Sequence, residues 1–309
     1  MSGIPTIDAR SATLGADILE AYGAWGFGYV VGHPIPTTLL AEVFAQSRRF
    51  HALAMDEKRL ILADGTHRGY IPFKASTDVT SSVEAVTKPN QSESLMLMHD
   101  LAADHPDVVA GAYLAGANKW PDLPGFREVM TEYEGAMCDF ARHLIEAIAV
   151  GLGDTGPMRE SFETPTTWLR LLHYPPQHAQ SPDDEYGSAP HTDFGAITLL
   201  AQDDVGGLAV KTTDGRWVDV PPVEGEFVMN VGDMLNRWSN GRLLSTPHRV
   251  TNRSGRERYS VPFFFDPHVS TVIAPLPSLG EPLFEPLVFG EFLRGELEAS
   301  YDAHKPATA

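Results

Sequence analysis

His191 and Asp193 stand two apart in Ala189-Pro190-His191-Thr192-Asp193-Phe194-Gly195, and His248 follows in Thr246-Pro247-His248-Arg249-Val250. If the first segment is extended, side chains two apart project to one face, so an imidazole and a carboxylate can meet one ion. With His248 as third ligand the set becomes two histidines and one carboxylate. That combination leaves coordination positions open and suits non-haem Fe(II) doing oxygen chemistry. The spacing alone is not diagnostic, because His105-Pro106-Asp107 repeats it among Asp, Pro and Ala. Around His191 the context differs. Gly195 permits close backbone approach, and Ile197-Thr198-Leu199-Leu200-Ala201 reads as a strand.

Beyond His248 come Arg258 and Ser260, leading into the apolar run Val261-Pro262-Phe263-Phe264-Phe265. Alternation puts Arg258 and Ser260 on one face. A guanidinium buried unpaired in such surroundings costs several kcal/mol, so Arg258 is expected to face an anion, and its fork suits a carboxylate. Ser260 adds a hydroxyl donor. On the strand Trp168 to Tyr174, the residues Arg170, Leu172 and Tyr174 share a face, which lets Tyr174 donate to the same ligand; His173 alternates away and is assigned a structural role. Candidate substrate-pocket residues are Tyr70, Phe73, Glu93, Leu95, Arg170 and Phe264. Glu93 and Arg170 serve as polar anchors if they face inward, or else pair with each other. His51, His67, His99, His105, His143, His178, His268 and His304 are given solvated or capping roles, and Asp233 and Asn240 turn contacts.

The elements that must position these residues fall into two regions. Residues 1–120 read as an N-terminal helix and strand region. Ile4 to Asp8 is extended, Leu14, Ile18, Leu19, Tyr22 and Trp25 recur at helical spacing, and Gly26 to Val31 turns to strand character. A second helix starts near Pro36 and runs through Phe50, and a strand is expected at Ser94 to Met98 within an otherwise broken stretch. Residues 121–309 open with a long scaffold helix whose stripe is Phe126, Met130, Tyr133, Met137, Phe140, Leu144 and Ile148. Short strands follow: Trp168 to His173, Ala196 to Gln202, Leu208 to Lys211, Trp217 to Val220, Phe227 to Val231, His248 to Thr251, Tyr259 to Phe265 and Thr271 to Ala274. They suggest a double-sheet jelly roll, mainly β with flanking helices, closed by a last helix from Phe289 to Tyr301.

Composition narrows the partners. With 41 acidic against 23 basic residues and a formal net charge of -18, the 309-residue chain is poorly suited to nucleic acid or to an anionic membrane surface. Cys138 is the sole cysteine, which excludes an intrachain disulfide and a cysteine-rich metal site. No long apolar run suggests a membrane span, and the expectation is a soluble cytoplasmic protein.

Taken together, His191-Thr192-Asp193-Phe194-Gly195, Asn230-Val231-Gly232-Asp233, Trp238-Ser239-Asn240-Gly241, Pro247-His248-Arg249-Val250 and Arg258-Tyr259-Ser260 closely resemble the isopenicillin N synthase-like branch of the Fe(II)/2-oxoglutarate dioxygenases. Ile4 to Asp8, Trp25 to Tyr29 and Arg68-Gly69-Tyr70 are similar to that family's N-terminal region. The resemblance implies a distorted double-stranded β-helix, Fe(II) on His191, Asp193 and His248, and 2-oxoglutarate held by Arg258 and Ser260. It also implies that molecular oxygen is consumed, that succinate and carbon dioxide are released, and that a small organic molecule is oxidised, most simply by hydroxylation. Leu172 departs from the pattern at a position where many relatives carry an Asn that helps bind 2-oxoglutarate. Some family members use Arg-x-Ser for a substrate carboxylate and need no 2-oxoglutarate, so an oxidase of the isopenicillin N synthase or ethylene-forming kind is the alternative. A non-catalytic sensor barrel is an alternative of another class. A zinc hydrolase lacks an evident general base.

Overall fold

Extended segments, most of them buried on both faces, build two sheets in this chain, and helical spacing builds the layer that covers the larger one. In the computed structural model, which describes residues 3–77, 83, 86–154, 156–178 and 180–300, the chain opens with β1 (Thr6–Asp8), α1 (Leu14–Trp25) and β2 (Phe27–Val31). Next come α2 (Thr37–His51), α3 (Met55–Arg59), β3 (Gly69–Ile71), β4 (Glu93–Met98), α4 (Pro106–Val109), α5 (Phe126–Leu152) and α6 (Pro157–Glu160). The remainder is β5 (Thr166–Tyr174), β6 (Ser188–His191), β7 (Ile197–Gln202), β8 (Leu208–Lys211), β9 (Trp217–Asp219), β10 (Phe227–Val231), α7 (Asp233–Trp238), β11 (His248–Val250), β12 (Arg258–Asp266), β13 (Val272–Ile273), β14 (Leu287–Val288) and α8 (Phe289–Ser300). The expected end of the last helix, Tyr301, and His304 lie outside the described residues.

The larger sheet has eight strands in the order β1-β2-β10-β7-β12-β5-β4-β3, and the smaller has four in the order β6-β11-β8-β9. The two face each other as a distorted double-stranded β-helix. The N-terminal region supplies strands to both edges of the larger sheet, with β1 parallel to β2 and β4 antiparallel to β5. On its outer face, α5 buries Phe126, Met130, Tyr133, Met137, Phe140, Leu144 and Ile148, the stripe predicted from spacing. Each such side chain contributes about 1.5–3 kcal/mol of burial. Gly26, at a φ of 63°, ends α1 in the left-handed region and turns the chain directly into β2. Between the sheets lies a second apolar layer made by Phe27, Tyr29, Leu172, Tyr174, Leu208, Val210, Val228 and Val250.

One strand expectation needs correction. Thr271 to Ala274 does not join the roll, because Val272 and Ile273 pair with β14 in a separate ribbon. The strand that completes the smaller sheet is β6, Ser188–His191, the extended segment expected to end at the metal ligands, with Asp193 two residues beyond its last residue. Its Ser-Ala-Pro-His has no alternation to signal a strand, and it is extended only because β11 pairs with it. Among the described residues no helix is long and apolar enough to cross a membrane.

Candidate active site

His191 is the last residue of β6 and His248 the first of β11, and the antiparallel register sets them directly opposite one another. Their ring centroids are 4.3 Å apart. Asp193 lies just past β6, in the turn that crosses to the larger sheet, and its Oδ1 is 3.7 Å from Nε2 of each histidine. The three ligand atoms lie within 4.8 Å of one another. Each ring is oriented through its other nitrogen: Nδ1 of His191 donates to Ala189 O at 2.6 Å and Nδ1 of His248 to Thr246 O at 3.3 Å. That tautomer leaves both Nε2 lone pairs aimed at one point.

Asp193 is oriented in the same way from the larger sheet. Its Oδ2 accepts from Thr198 Oγ1 at 2.5 Å and Asn230 Nδ2 at 2.6 Å, so Oδ1 alone is left toward the histidines. Burial by itself would raise this carboxyl. The imidazoles of His248 and His191 and the two hydrogen bonds outweigh it and hold Asp193 below the usual carboxylate range. The turn is fixed from behind. A Cβ on Gly195 would lie 1.7 Å from Asp266 Oδ1, which accepts from Ala196 N, and the first amides of α7 donate to the carbonyls of Asp193 and Gly195. Asp233 is no ligand: its carboxylate accepts from Thr192 Oγ1 and Ser245 Oγ, tying together the loops that carry Asp193 and His248.

Deeper between the sheets, Arg258 is 0% exposed. Among the described residues its hydrogen bonds run to neutral acceptors only: Gly206 O at 2.5 Å, Gln202 Oε1 at 3.1 Å and Ser260 Oγ at 3.4 Å. The guanidinium also lies 4.5 Å from the centroid of the Tyr174 ring, a cation–π contact that sets Tyr174 beside the guanidinium. Leu172, Leu208 and Val210 complete apolar walls. A fixed positive charge with neutral partners inside such walls is a seat for an anion.

The remaining nominated residues separate by face. Phe264 pairs across the sheet with Thr198, the donor to Asp193, and Arg170 lies on the same inner face, its Nε donating to Ser94 Oγ at 3.0 Å. Tyr70, Glu93 and Leu95 are on the other face, which corrects their expected place in the pocket. Glu93 pairs with His173, Leu95 with Leu171 and Tyr70 with Leu95, all turned toward the helices. Glu93 and Arg170 therefore do not pair with each other. Both faces of β4 are buried, so its sequence carries no polar mark of the inside. Phe73 is 40% exposed, with the Lys74 ammonium over its ring. His51 and His67, expected to be solvated, are buried. Thr198 and Gln202 were missed, although a Thr and a Gln on one face of an apolar strand were the available signal.

Comparison with known proteins agrees with this geometry. A family model described as the 2OG-Fe(II) oxygenase superfamily matches residues 165–267, and one described as non-haem dioxygenase in morphine synthesis N-terminal matches residues 4–123. The 2-oxoglutarate-Fe(II) type oxidoreductase hxnY of Emericella nidulans is 37% identical over 317 residues, covering 96% of this chain and 87% of that one. Homoarginine-6-hydroxylase of Glycine max is 35% identical over 89% of this chain and 86% of its own. Among crystal structures, a Neurospora crassa protein in complex with alpha-KG and thymine superposes with a TM-score of 0.79 at 29% identity, covering 96% of both chains. JOX2 in complex with 2OG, Fe and JA gives 0.78 at 30% identity, over 93% of this chain and 83% of that one. Two imidazoles and one carboxylate with the rest of the coordination shell open fit Fe(II), and the buried guanidinium fits a dicarboxylate cosubstrate. The chain belongs to the 2OG-Fe(II) oxygenase superfamily and is a 2-oxoglutarate- and Fe(II)-dependent dioxygenase that oxidises a small molecule.

Proposed function

We propose that this dioxygenase hydroxylates a small planar molecule that carries an acidic or carbonyl group, seated between Phe264 and Arg170. In this reading His191, Asp193 and His248 hold the iron, while Arg258 and Ser260, beside Gln202 and Tyr174, receive the distal carboxylate of 2-oxoglutarate. The observation that carries the substrate seat is one of burial. Along the inner faces of β5 and β12, Arg170 and Phe264 are the only partly exposed side chains, and every other inward residue of these strands is buried. An aromatic face and a guanidinium at the open part of the cavity, next to the Asp193 tether, suit stacking on a ring and donation to its oxygen atoms. The Neurospora crassa relative bound to thymine is a protein whose ligand has that character.

The iron, once bound with 2-oxoglutarate, supplies oxygen activation coupled to decarboxylation, with succinate and carbon dioxide as products. The protein's own residues arrange the rest. Thr198 and Asn230 keep Asp193 turned so that one oxygen points at the metal. The backbone carbonyls on His191 and His248 fix the tautomer that leaves Nε2 unprotonated. Leu172, Leu208 and Val210 exclude water from the cosubstrate's buried end. Phe264, paired across the sheet with Thr198, would stack on the ring to be oxidised beside the residues that would hold the metal. The lone Cys138 and the need to keep iron ferrous support a cytoplasmic setting.

The test is succinate release from 2-oxoglutarate across a panel of aromatic and heterocyclic acids and carbonyl compounds, set against aliphatic amines. Coupled turnover is expected with the ring compounds. Arg170→Ala and Phe264→Ala are expected to raise KM about tenfold or more, while 2-oxoglutarate affinity is unchanged. Preference for aliphatic cations, or full coupling in both variants, refutes this seat.

A further inference from the structure

On the outer face of the larger sheet, away from the iron site, a second set of two imidazoles and one carboxylate converges. His51 ends α2, Glu93 begins β4, and His173 lies opposite Glu93 on β5. Glu93 Oε1 is 2.8 Å from His173 Nδ1 and 3.6 Å from His51 Nδ1, and the three atoms lie within 4.8 Å of one another. Tetrahedral bonds of about 2.0–2.1 Å place ligand atoms about 3.3 Å apart, a value these two distances bracket. The side chains are 0%, 8% and 12% exposed for His51, Glu93 and His173.

The outer atoms of all three groups are already engaged. His51 Nε2 lies 3.2 Å from Leu171 O, and since a carbonyl only accepts, Nε2 carries the proton. His173 Nε2 donates to Glu257 Oε2 at 2.5 Å. Glu93 Oε2 accepts from Lys58 Nζ at 2.9 Å and from the Tyr70 hydroxyl. Carbonyl and carboxylate partners behind imidazoles are the supports that orient histidine ligands on a metal.

One atom decides between a proton and a cation at the centre. His51 Nδ1 is buried and makes no hydrogen bond. With Nε2 protonated, that Nδ1 turns a bare lone pair toward a carboxylate. A proton on His173 satisfies Glu93 and leaves the His51 lone pair facing negative charge; a cation among the three satisfies all of them.

We propose that His51, Glu93 and His173 bind a second divalent transition-metal ion, of zinc type, separate from the iron. The ion joins α2, β4 and β5. Through Tyr259, which stacks on His173 at 4.8 Å between ring centroids, it also stiffens the stretch of β12 that carries Arg258 and Ser260.

The metal-free full chain is titrated with Zn2+ against a chromophoric chelator, and separately with Co2+ followed by its visible absorption. The wild type is expected to bind two ions and the His191→Ala/Asp193→Ala variant one. Adding His51→Ala and His173→Ala to that variant is expected to weaken the remaining ion at least about 100-fold. Failure of the His191→Ala/Asp193→Ala variant to hold any ion overturns the proposal, as does binding that survives loss of His51 and His173. If that variant holds two ions while loss of His51 and His173 removes one, the second site stands and the iron assignment fails. Should the multiple variants not fold, anomalous scattering at the zinc edge from zinc-soaked wild-type crystals decides: a peak among His51, Glu93 and His173 supports the site, and its absence refutes it.

Discussion

Replacing Arg258 by methionine keeps the length and apolar bulk of the side chain and removes the charge. In the free protein that charge is buried against Gly206 O, Gln202 Oε1, Ser260 Oγ and the Tyr174 ring, all neutral, so no ion pair is broken when it goes. The loss therefore falls on the ligand. Removing one side of a buried, hydrogen-bonded charge pair costs about 2–5 kcal/mol. Because Nε and Nη2 already serve Gly206 and Gln202, a value near the lower middle, about 3 kcal/mol, is appropriate; it corresponds to about 150-fold in the dissociation constant of 2-oxoglutarate. Two anaerobic measurements read it. In the Fe(II)-loaded protein, the visible charge-transfer band of the chelated keto acid reports affinity directly. In thermal unfolding, 2-oxoglutarate at a hundred times the wild-type dissociation constant stabilises wild type by about 2.7 kcal/mol, and the same concentration stabilises Arg258→Met by about 0.3 kcal/mol. An affinity within threefold of wild type would show that Arg258 does not receive the cosubstrate, and would return attention to a substrate carboxylate in its place.

Two further outcomes follow from the site. Thr198→Val and Asn230→Leu each free one lobe of Asp193 Oδ2 and are expected to weaken Fe(II) binding about 10- to 100-fold at unchanged 2-oxoglutarate selectivity, measured by chelator competition; unaltered iron affinity in both contradicts the tether. Asp266 is buried behind the metal turn, and burial pushes its carboxyl up to about 7, well above an unfolded aspartate. The folded state then holds a proton that the unfolded state has released, so this group lowers stability as pH rises from about 4 to about 7, by at most about 4 kcal/mol. Asp266→Asn is expected to flatten that part of the stability profile, as read by denaturant unfolding at pH 5 and pH 8; parallel wild-type and variant profiles refute it.

How much of this was legible in the sequence depended on whether chemistry or packing dictated the residue. Metal ligands must be particular residue types, so His191, Asp193 and His248 could be picked out from far-apart segments. Arg258 stood out because a charge in an apolar strand requires a reason. The α5 stripe was legible because a 27-residue helix repeats its period many times. β6 was legible only through the ligand spacing at its end, since four residues containing a proline hold no hydrophobic period of their own. The phase of β4 was read one residue out, turning Glu93 and Leu95 inward, because a strand buried on both faces has no alternation to read. His51, next to Arg48, Arg49 and the buried Phe50, looked like one more polar residue at a helix end, and only tertiary packing placed it beneath the sheet.

The direct pairing of His191 with His248 sets the order in which the molecule can be assembled. Before β11 has returned to lie beside β6, a passing ion meets only the adjacent histidine and aspartate, two ligands on an open chain. Closing that pair brings together segments far apart in sequence, a slow step of the kind that high contact order imposes. The full set of two imidazoles and one carboxylate therefore exists only once the smaller sheet has closed, so full iron affinity is expected of the folded chain and not of its first strands.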